Sequence, residues 1–191
     1  MEAIFVTSNH NKSREAEEIL GVELRVVDLD LPEMQDLDVA QVAAVKAASA
    51  REVLGEPDLP VLVEDSGIVF GAWNGLPGAL TKWFLASVRN EGILKMLQKE
   101  EDRSARAVCA VAIAFASGSV RVFAGEVRGS IAFEPRGERG FGWDPIFIPD
   151  GYTETYAELG PRKHEVSHRA RALYAAREAL HDGPEDASFV G

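Results

Sequence analysis

The 191-residue chain carries 20 Lys and Arg against 31 Asp and Glu, a net charge of −11 and a pI near 4.8. A hydrophobic share of 46% excludes a disordered chain, and the length suits a single domain over 1–191, one core with two lobes. The acidic balance disfavours nucleic acid and anionic membrane as partners, and an anionic small ligand then needs a local basic cluster or a metal ion.

Ile4-Phe5-Val6 reads as a short buried strand, and the polar turn Thr7-Ser8-Asn9-His10-Asn11 follows it. Lys12 to Leu20 has helical spacing, with Ala16, Ile19 and Leu20 on one face and Gly21 as the stop. Leu24 to Leu29 is a second strand, and Leu31 to Leu37 a loop containing Pro32. Asp38 caps the next helix, with Gln41 three residues on, and the helix runs through Lys46 to about Leu54. Pro60 to Val63 is a third strand ending at Glu64-Asp65-Ser66-Gly67, and Ile68-Val69-Phe70 continue the sheet. Gly75-Leu76-Pro77-Gly78 is a turn before two helices, about Ala79 to Val88 and Glu91 to Lys99. Arg106 to Phe115 and Val120 to Val127 are strands joined by the hairpin signal Ser117-Gly118-Ser119, with Ile131 to Phe133 as an extension. The lone cysteine, Cys109, lies in an apolar run and reads as core; with no disulfide to form, it suits a reducing cytosol. Glu134 to Trp143 is a Gly-rich loop, Thr155 and Glu158 form a capping box, and Ser167 caps a last helix to about Leu180. The tail from about 182 is expected to fray. No apolar run reaches the ~20 residues of a membrane span, and Met1-Glu2-Ala3-Ile4 lacks the basic start of a signal peptide. Helices alternating with strands, then a long hairpin, argue for an α/β fold with a mixed sheet.

Four constellations carry chemistry. Thr7-Ser8-Asn9-His10-Asn11-Lys12 joins a strand to a helix, where backbone N–H groups and a lysine favour an anion, although the glycines of a P-loop are missing. Glu64 and Asp65 are adjacent on a strand and so face opposite sides; one can face the site as a Mg²⁺ ligand or general base while the other supports the fold. Glu33 lies in an irregular loop where a second metal-directed carboxylate would sit, Lys46 interrupts an apolar helix, and Lys82 precedes Trp83-Phe84. Finally, Phe141-Gly142-Trp143-Asp144 leads to Lys163 and to Ser167-His168-Arg169. The aromatics offer a stacking surface for a flat base, and the cations offer donors to a carbonyl or phosphate oxygen.

With these motifs in this order, the chain resembles the inosine triphosphate pyrophosphatases, which remove deaminated purine nucleotides. Thr7 to Lys12, Leu31-Pro32-Glu33-Met34-Gln35, Val63 to Gly67 with Ser66, Gly75 to Gly78 with Lys82-Trp83-Phe84, Phe141 to Pro145, Thr155 to Leu159, and Ser167 to Arg169 carry the resemblance. Trp143 and Glu64 are similar to the archaeal and eukaryotic branch. Ser8 where glycine is usual, Ala79-Leu80 where a residue pair ending in Tyr is common, and His164 where Asn is usual depart from it.

The resemblance implies an elongated mixed sheet flanked by helices, two lobes around a nucleotide cleft, and a cytoplasmic homodimer. It also implies Mg²⁺, with Mn²⁺ as a substitute, and cleavage of inosine and xanthosine triphosphates to monophosphate and pyrophosphate. Asp65 is then the key acid with Glu33 as metal partner, and Glu64 is the second candidate for the base. Lys12, Lys46 and Lys82 cradle the triphosphate; Phe141 and Trp143 stack on the base, and His168 and Arg169 donate to its 6-oxo group. A nucleotide kinase or other P-loop NTPase is disfavoured by the missing Gly-x-x-x-x-Gly-Lys-Ser/Thr motif. The alternatives are a related pyrophosphatase of modified pyrimidine triphosphates and a non-catalytic nucleotide-binding module.

Overall fold

The structure, a computed structural model, describes residues 1–8 and 10–183, with residues 10 and 11 described by their backbone. In chain order the elements are β1 (Glu2–Val6), α1 (His10–Leu20), β2 (Glu23–Val27), α2 (Val39–Val53), β3 (Val61–Phe70), β4 (Pro77–Gly78), α3 (Thr81–Met96), β5 (Ser104–Ala114), β6 (Val120–Ile131), β7 (Phe147–Pro149), α4 (Tyr156–Leu159), α5 (Lys163–Val166) and α6 (His168–Asp182). The seven strands form one open mixed sheet in the order β2-β1-β3-β5-β6-β7, with β4 also on β3. β1 is parallel to β2 and β3, whereas β3, β5, β6 and β7 are antiparallel in succession.

The expected strand end at Glu64 is corrected: β3 runs unbroken for 10 residues through both acids. Its outer edge is open beside them. β1 covers only Val61 to Val63, and β4 covers only Ile68 and Val69. Between them β3 has β5 on one side, Glu64 facing Val111 and Asp65 facing Ala110, and among the described residues no strand on the other. The cleft opens there.

Strand alternation sorts the core around this gap. On one face Leu62, Cys109, Val111 and Ile113 pack with Ala16 and Leu20 of α1 and with Ala172, Leu173 and Ala176 of α6. On the other, Val61, Val63, Ala110 and Ala112 pack with Val39, Ala43, Ala47 and Ala50 of α2. At the far end of the ladder Ile68, Phe70, Ala105 and Ala107 pack with Ile93 and Leu94 of α3 and with Trp143, Phe147 and Tyr156. Along β3, Glu64 and Asp65 lie between the first two of these clusters and the third.

Local chemistry explains most boundaries. Asp38 caps α2 by accepting from the Ala40 N–H at 2.8 Å, rather than through a box with Gln41. Thr155 and Glu158 form the full capping box of α4 at 3.2 and 2.8 Å. Ser167 caps α6 through the Ala170 N–H at 3.0 Å. The two expected helices after Ala79 are both present as the halves of α3, which starts only at Thr81 and is broken at Arg89, whose φ of 58° and ψ of −175° belong to glycine territory. Such a residue costs ~1–3 kcal/mol. Phe133 lies beyond β6 and is 86% exposed, while β7 and α5 were not foreseen. Of the tail expected to fray, residues 184–191 lie outside the described residues. No helix among the described residues is long and apolar enough to cross a membrane.

Candidate active site

The two adjacent acids have opposite surroundings. Glu64 points to the α1/α6 face and is 7% exposed. Its carboxylate takes Lys12 at 3.0 Å and the Arg169 Nε at 3.0 and 2.9 Å. Arg169 reaches it because α6 begins hard against β6: a side chain at Gly125 would collide with the His168 carbonyl and the Ala172 N–H. Arg169 also donates to Glu15 at 3.1 Å, and Glu15 meets His164 Nδ1 at 2.9 Å. Burial alone would raise the Glu64 pKa, but Lys12 and Arg169 outweigh it and hold it at about 2. The same carboxylates overcome burial to raise the pKa of Arg169. Glu64 is thus a fixed anion joining α1 to α6.

Asp65 points to the α2 face. Its Oδ2 is buried and has no hydrogen-bond partner among the described residues. Burial raises its pKa to about 6 against the opposing pull of Lys12 and Lys46. Glu33 lies near enough to add to that rise. Glu33 itself is held by Lys46 at 2.8 Å and Lys82 at 3.7 Å, and the Lys46 hydrogen bond lowers its pKa. An unpartnered buried carboxylate oxygen beside a second carboxylate is a donor set that fits a hard divalent ion. Among the described residues no group of three or more His, Cys, Asp or Glu is placed to hold a metal. An ion here would draw its remaining ligands from phosphate and water, as Mg²⁺ does.

The cleft has a volume of about 1020 Å³. Thr7, Ser8, Lys12, Lys46, Ser66 and Lys82 line it together with Phe141, Gly142 and Trp143. Asn9 and the side chains of His10 and Asn11, expected among the phosphate ligands, lie outside the described residues. The three lining lysines face six carboxylates, Asp28, Asp30, Glu33, Asp36, Glu64 and Asp65.

At the base end the structure brings Asp144, Lys163, His168 and Arg169 together, but behind Phe141 rather than along the cleft wall. Lys163 Nζ bonds both Asp144 oxygens at 2.7 Å. It lies 4.7 Å from the Phe141 ring centre, and the Arg169 guanidinium lies 5.3 Å from the same ring. Phe141 is 44% exposed. Trp143 is only 7% exposed and packs edge-on to Phe147 at 5.6 Å, so most of its ring is core. His168 stacks on Tyr156 at 5.9 Å with an interplanar angle of 10°. Burial, then Lys163 and Arg169, keeps its pKa well below 6.5, so the ring is neutral, and its Nδ1 has no partner among the described residues. Lys163 is also lowered by burial, with Asp144 opposing.

Sequence reasoning missed Glu15, Asn90 and the acidic rim. For Glu15 a signal existed: it follows Lys12 by three places, on the same helix face. Asn90, which donates from Nδ2 to the Gly142 carbonyl at 2.9 Å, has no local signature.

With this geometry in hand, the likeness to known proteins is specific. The Ham1 family pattern matches residues 3–179. A dITP/XTP pyrophosphatase of Methanopyrus kandleri is 46% identical over 177 residues, covering 91% of this chain and 93% of that protein. An inosine triphosphate pyrophosphatase of Yarrowia lipolytica is 44% identical over 180 residues, 91% of this chain and 92% of its own. The structure of a HAM1 protein from Coxiella burnetii superposes with a TM-score of 0.84 at 30% identity, over 96% of this chain and 100% of that one. The chain, with its open β3 edge and its paired acids, belongs to the Ham1 family.

Proposed function

We propose that this protein hydrolyses inosine and xanthosine triphosphates, and their deoxy forms, to the monophosphate and pyrophosphate, with Mg²⁺ as the working ion and Mn²⁺ able to replace it. The names of its relatives support the substrate class. The observation that carries the reading is Asp65: a buried carboxylate with an unpartnered oxygen, at the open edge of β3 between a lysine cluster and an aromatic one.

In the proposed reaction Asp65 accepts a proton from the attacking water. The water oxygen bonds to the α-phosphorus, and the bond to the α–β bridging oxygen breaks, so pyrophosphate leaves with that oxygen. Lys46 and Lys82 exchange Glu33 for phosphate oxygens, and Glu33 and Asp65 would then be the residues to hold a divalent ion. When bound, a divalent ion supplies charge neutralisation at the phosphates. The lining itself supports the need for one, since six carboxylates against three lysines repel a free triphosphate. Phe141 meets the base at the cleft, and the donors behind it, Lys163, Arg169 and the neutral His168, select a 6-oxo acceptor over the 6-amino group of adenine. The same proposal has the enzyme working in the cytosol as a homodimer; Cys109, free and buried, supports a reducing compartment.

Wild-type protein given inosine triphosphate and Mg²⁺ is expected to release pyrophosphate and to prefer that substrate to ATP by ~10⁴, because buried donors lose their partner with adenine. A chelator should stop turnover. Equal use of ATP, or orthophosphate as the first product, would overturn the reading. Lys46→Ala should raise KM about 10- to 150-fold, the worth of a charge-assisted hydrogen bond. Lys82→Ala should cost less, because its side chain is 69% exposed and screened. Lys95 and Lys99 are exposed and serve as controls; losses as large at either would make the effect general electrostatics.

A further inference from the structure

We propose that Asn90 is a positioning residue for base selection: from the break in α3 it fixes the loop that carries Phe141 and Trp143. Its Nδ2 donates to the Gly142 carbonyl at 2.9 Å. Its own Oδ1 is buried without a partner among the described residues. Reversing the amide would set that oxygen against the Gly142 carbonyl, so the donor must face the loop. Gly142 has a φ of 61°, and a Cβ there would stand 3.4 Å from Leu85 Cδ1. The loop therefore rests on α3 at two points, Leu85 and Asn90. On the other flank of Phe141, its own N–H donates to Asp144 Oδ2 at 3.0 Å. These ties hold the backbone at Phe141 and Gly142, and the Phe141 ring lies against Lys163 and Arg169.

The strained residue Arg89 comes immediately before the residue that makes the contact. Strain of this kind persists where the surroundings fix it, and it clusters at sites. The same helix brings Lys82 and Trp83 into the cleft, so α3 carries a phosphate-side cation on its first turn and the loop tie at its break. A loop held this way presents Phe141 and the donors behind it in one geometry, and losing the tie loosens selection before it loosens the fold.

The inference rests on the proposed base-selecting reaction. Asn90→Ala and Asn90→Asp, the second keeping size but losing the donor, would be assayed with inosine triphosphate and with ATP, and melted. Asn90→Ala should lower kcat/KM for inosine triphosphate about tenfold, the order expected of one hydrogen bond, while ATP changes less than about twofold. Asn90→Asp, with a carboxylate against a carbonyl, should fall further. Both should melt within about 4 °C of wild type, so that selectivity moves and the fold does not. Equal losses on both substrates in either variant, or an unchanged ratio in both, would overturn the inference. A wild type that prefers inosine triphosphate while the variants keep its ratio defeats this inference alone. A wild type without that preference defeats the proposed function as well.

Discussion

Asp65→Asn is expected to lower turnover about 10²- to 10⁴-fold while raising the melting temperature of the metal-free protein, whereas Glu64→Gln is expected to lower that temperature. The adjacent acids differ because only one is paired. The Asp65 pKa is raised from 3.8 to about 6 by burial, so in the folded state its ionised form is disfavoured. The penalty is absent below the ordinary value, grows as pH rises through that window, and is complete above about 6. At neutral pH it amounts to about 3 kcal/mol, which a neutral isostere removes, a gain of about 6–12 °C for a chain of this size. Glu64 has the opposite sign. Its pKa falls from 4.5 to about 2, so its contribution is present above 4.5 and lost as pH falls through that window. Neutralising it strands Lys12 and Arg169, and breaking a buried pair costs ~3–5 kcal/mol. Activity and melting curves of both variants in chelator check this. An inactive but stable Glu64→Gln beside an active Asp65→Asn would reverse the roles.

A second large effect is expected at the base end. Asp144→Asn leaves Lys163 buried without its counter-charge, and Lys163→Met leaves Asp144, 2% exposed, in the same state. Each single change should cost ~3–5 kcal/mol, while the double variant removes both charges and should recover most of it. Selection should not recover: all three variants should lose the preference for inosine triphosphate over ATP by at least about 10²-fold, because the donors proposed to recognise the 6-oxo group would be gone or misplaced. Melting of the three variants beside a two-substrate assay separates the terms. A double variant that keeps full preference would put base recognition elsewhere.

Much of this was legible because it is local. Asp38, the Thr155 and Glu158 box, Ser167 and the Ser117-Gly118-Ser119 hairpin each announce an element from neighbouring residues. The strand–turn–helix at Thr7 to Lys12 and the cleft lysines were legible from residue type. The length of β3 was not: Pro60 to Val63 reads as a strand that ends at the two acids, because nothing nearby in sequence shows that Arg169, 105 positions on, arrives to neutralise Glu64. Trp143 read as a ligand platform; it lines the cleft, and its neighbours Phe147 and Tyr156, which bury most of it, were not legible from spacing. The order of the cations behind Phe141, and the grip of Asn90 on Gly142, depend on close approaches between distant segments that no spacing encodes. The break itself was legible, since helical patterning stops between Val88 and Glu91.

The most direct measurement is hydrolysis of inosine triphosphate in ¹⁸O-labelled water, with both products weighed. Water activated at Asp65 and attacking the α-phosphorus should place the label in inosine monophosphate and leave pyrophosphate unlabelled, with the signal lost in Asp65→Asn. Label in pyrophosphate or in orthophosphate, or full labelled turnover in Asp65→Asn, would contradict the account.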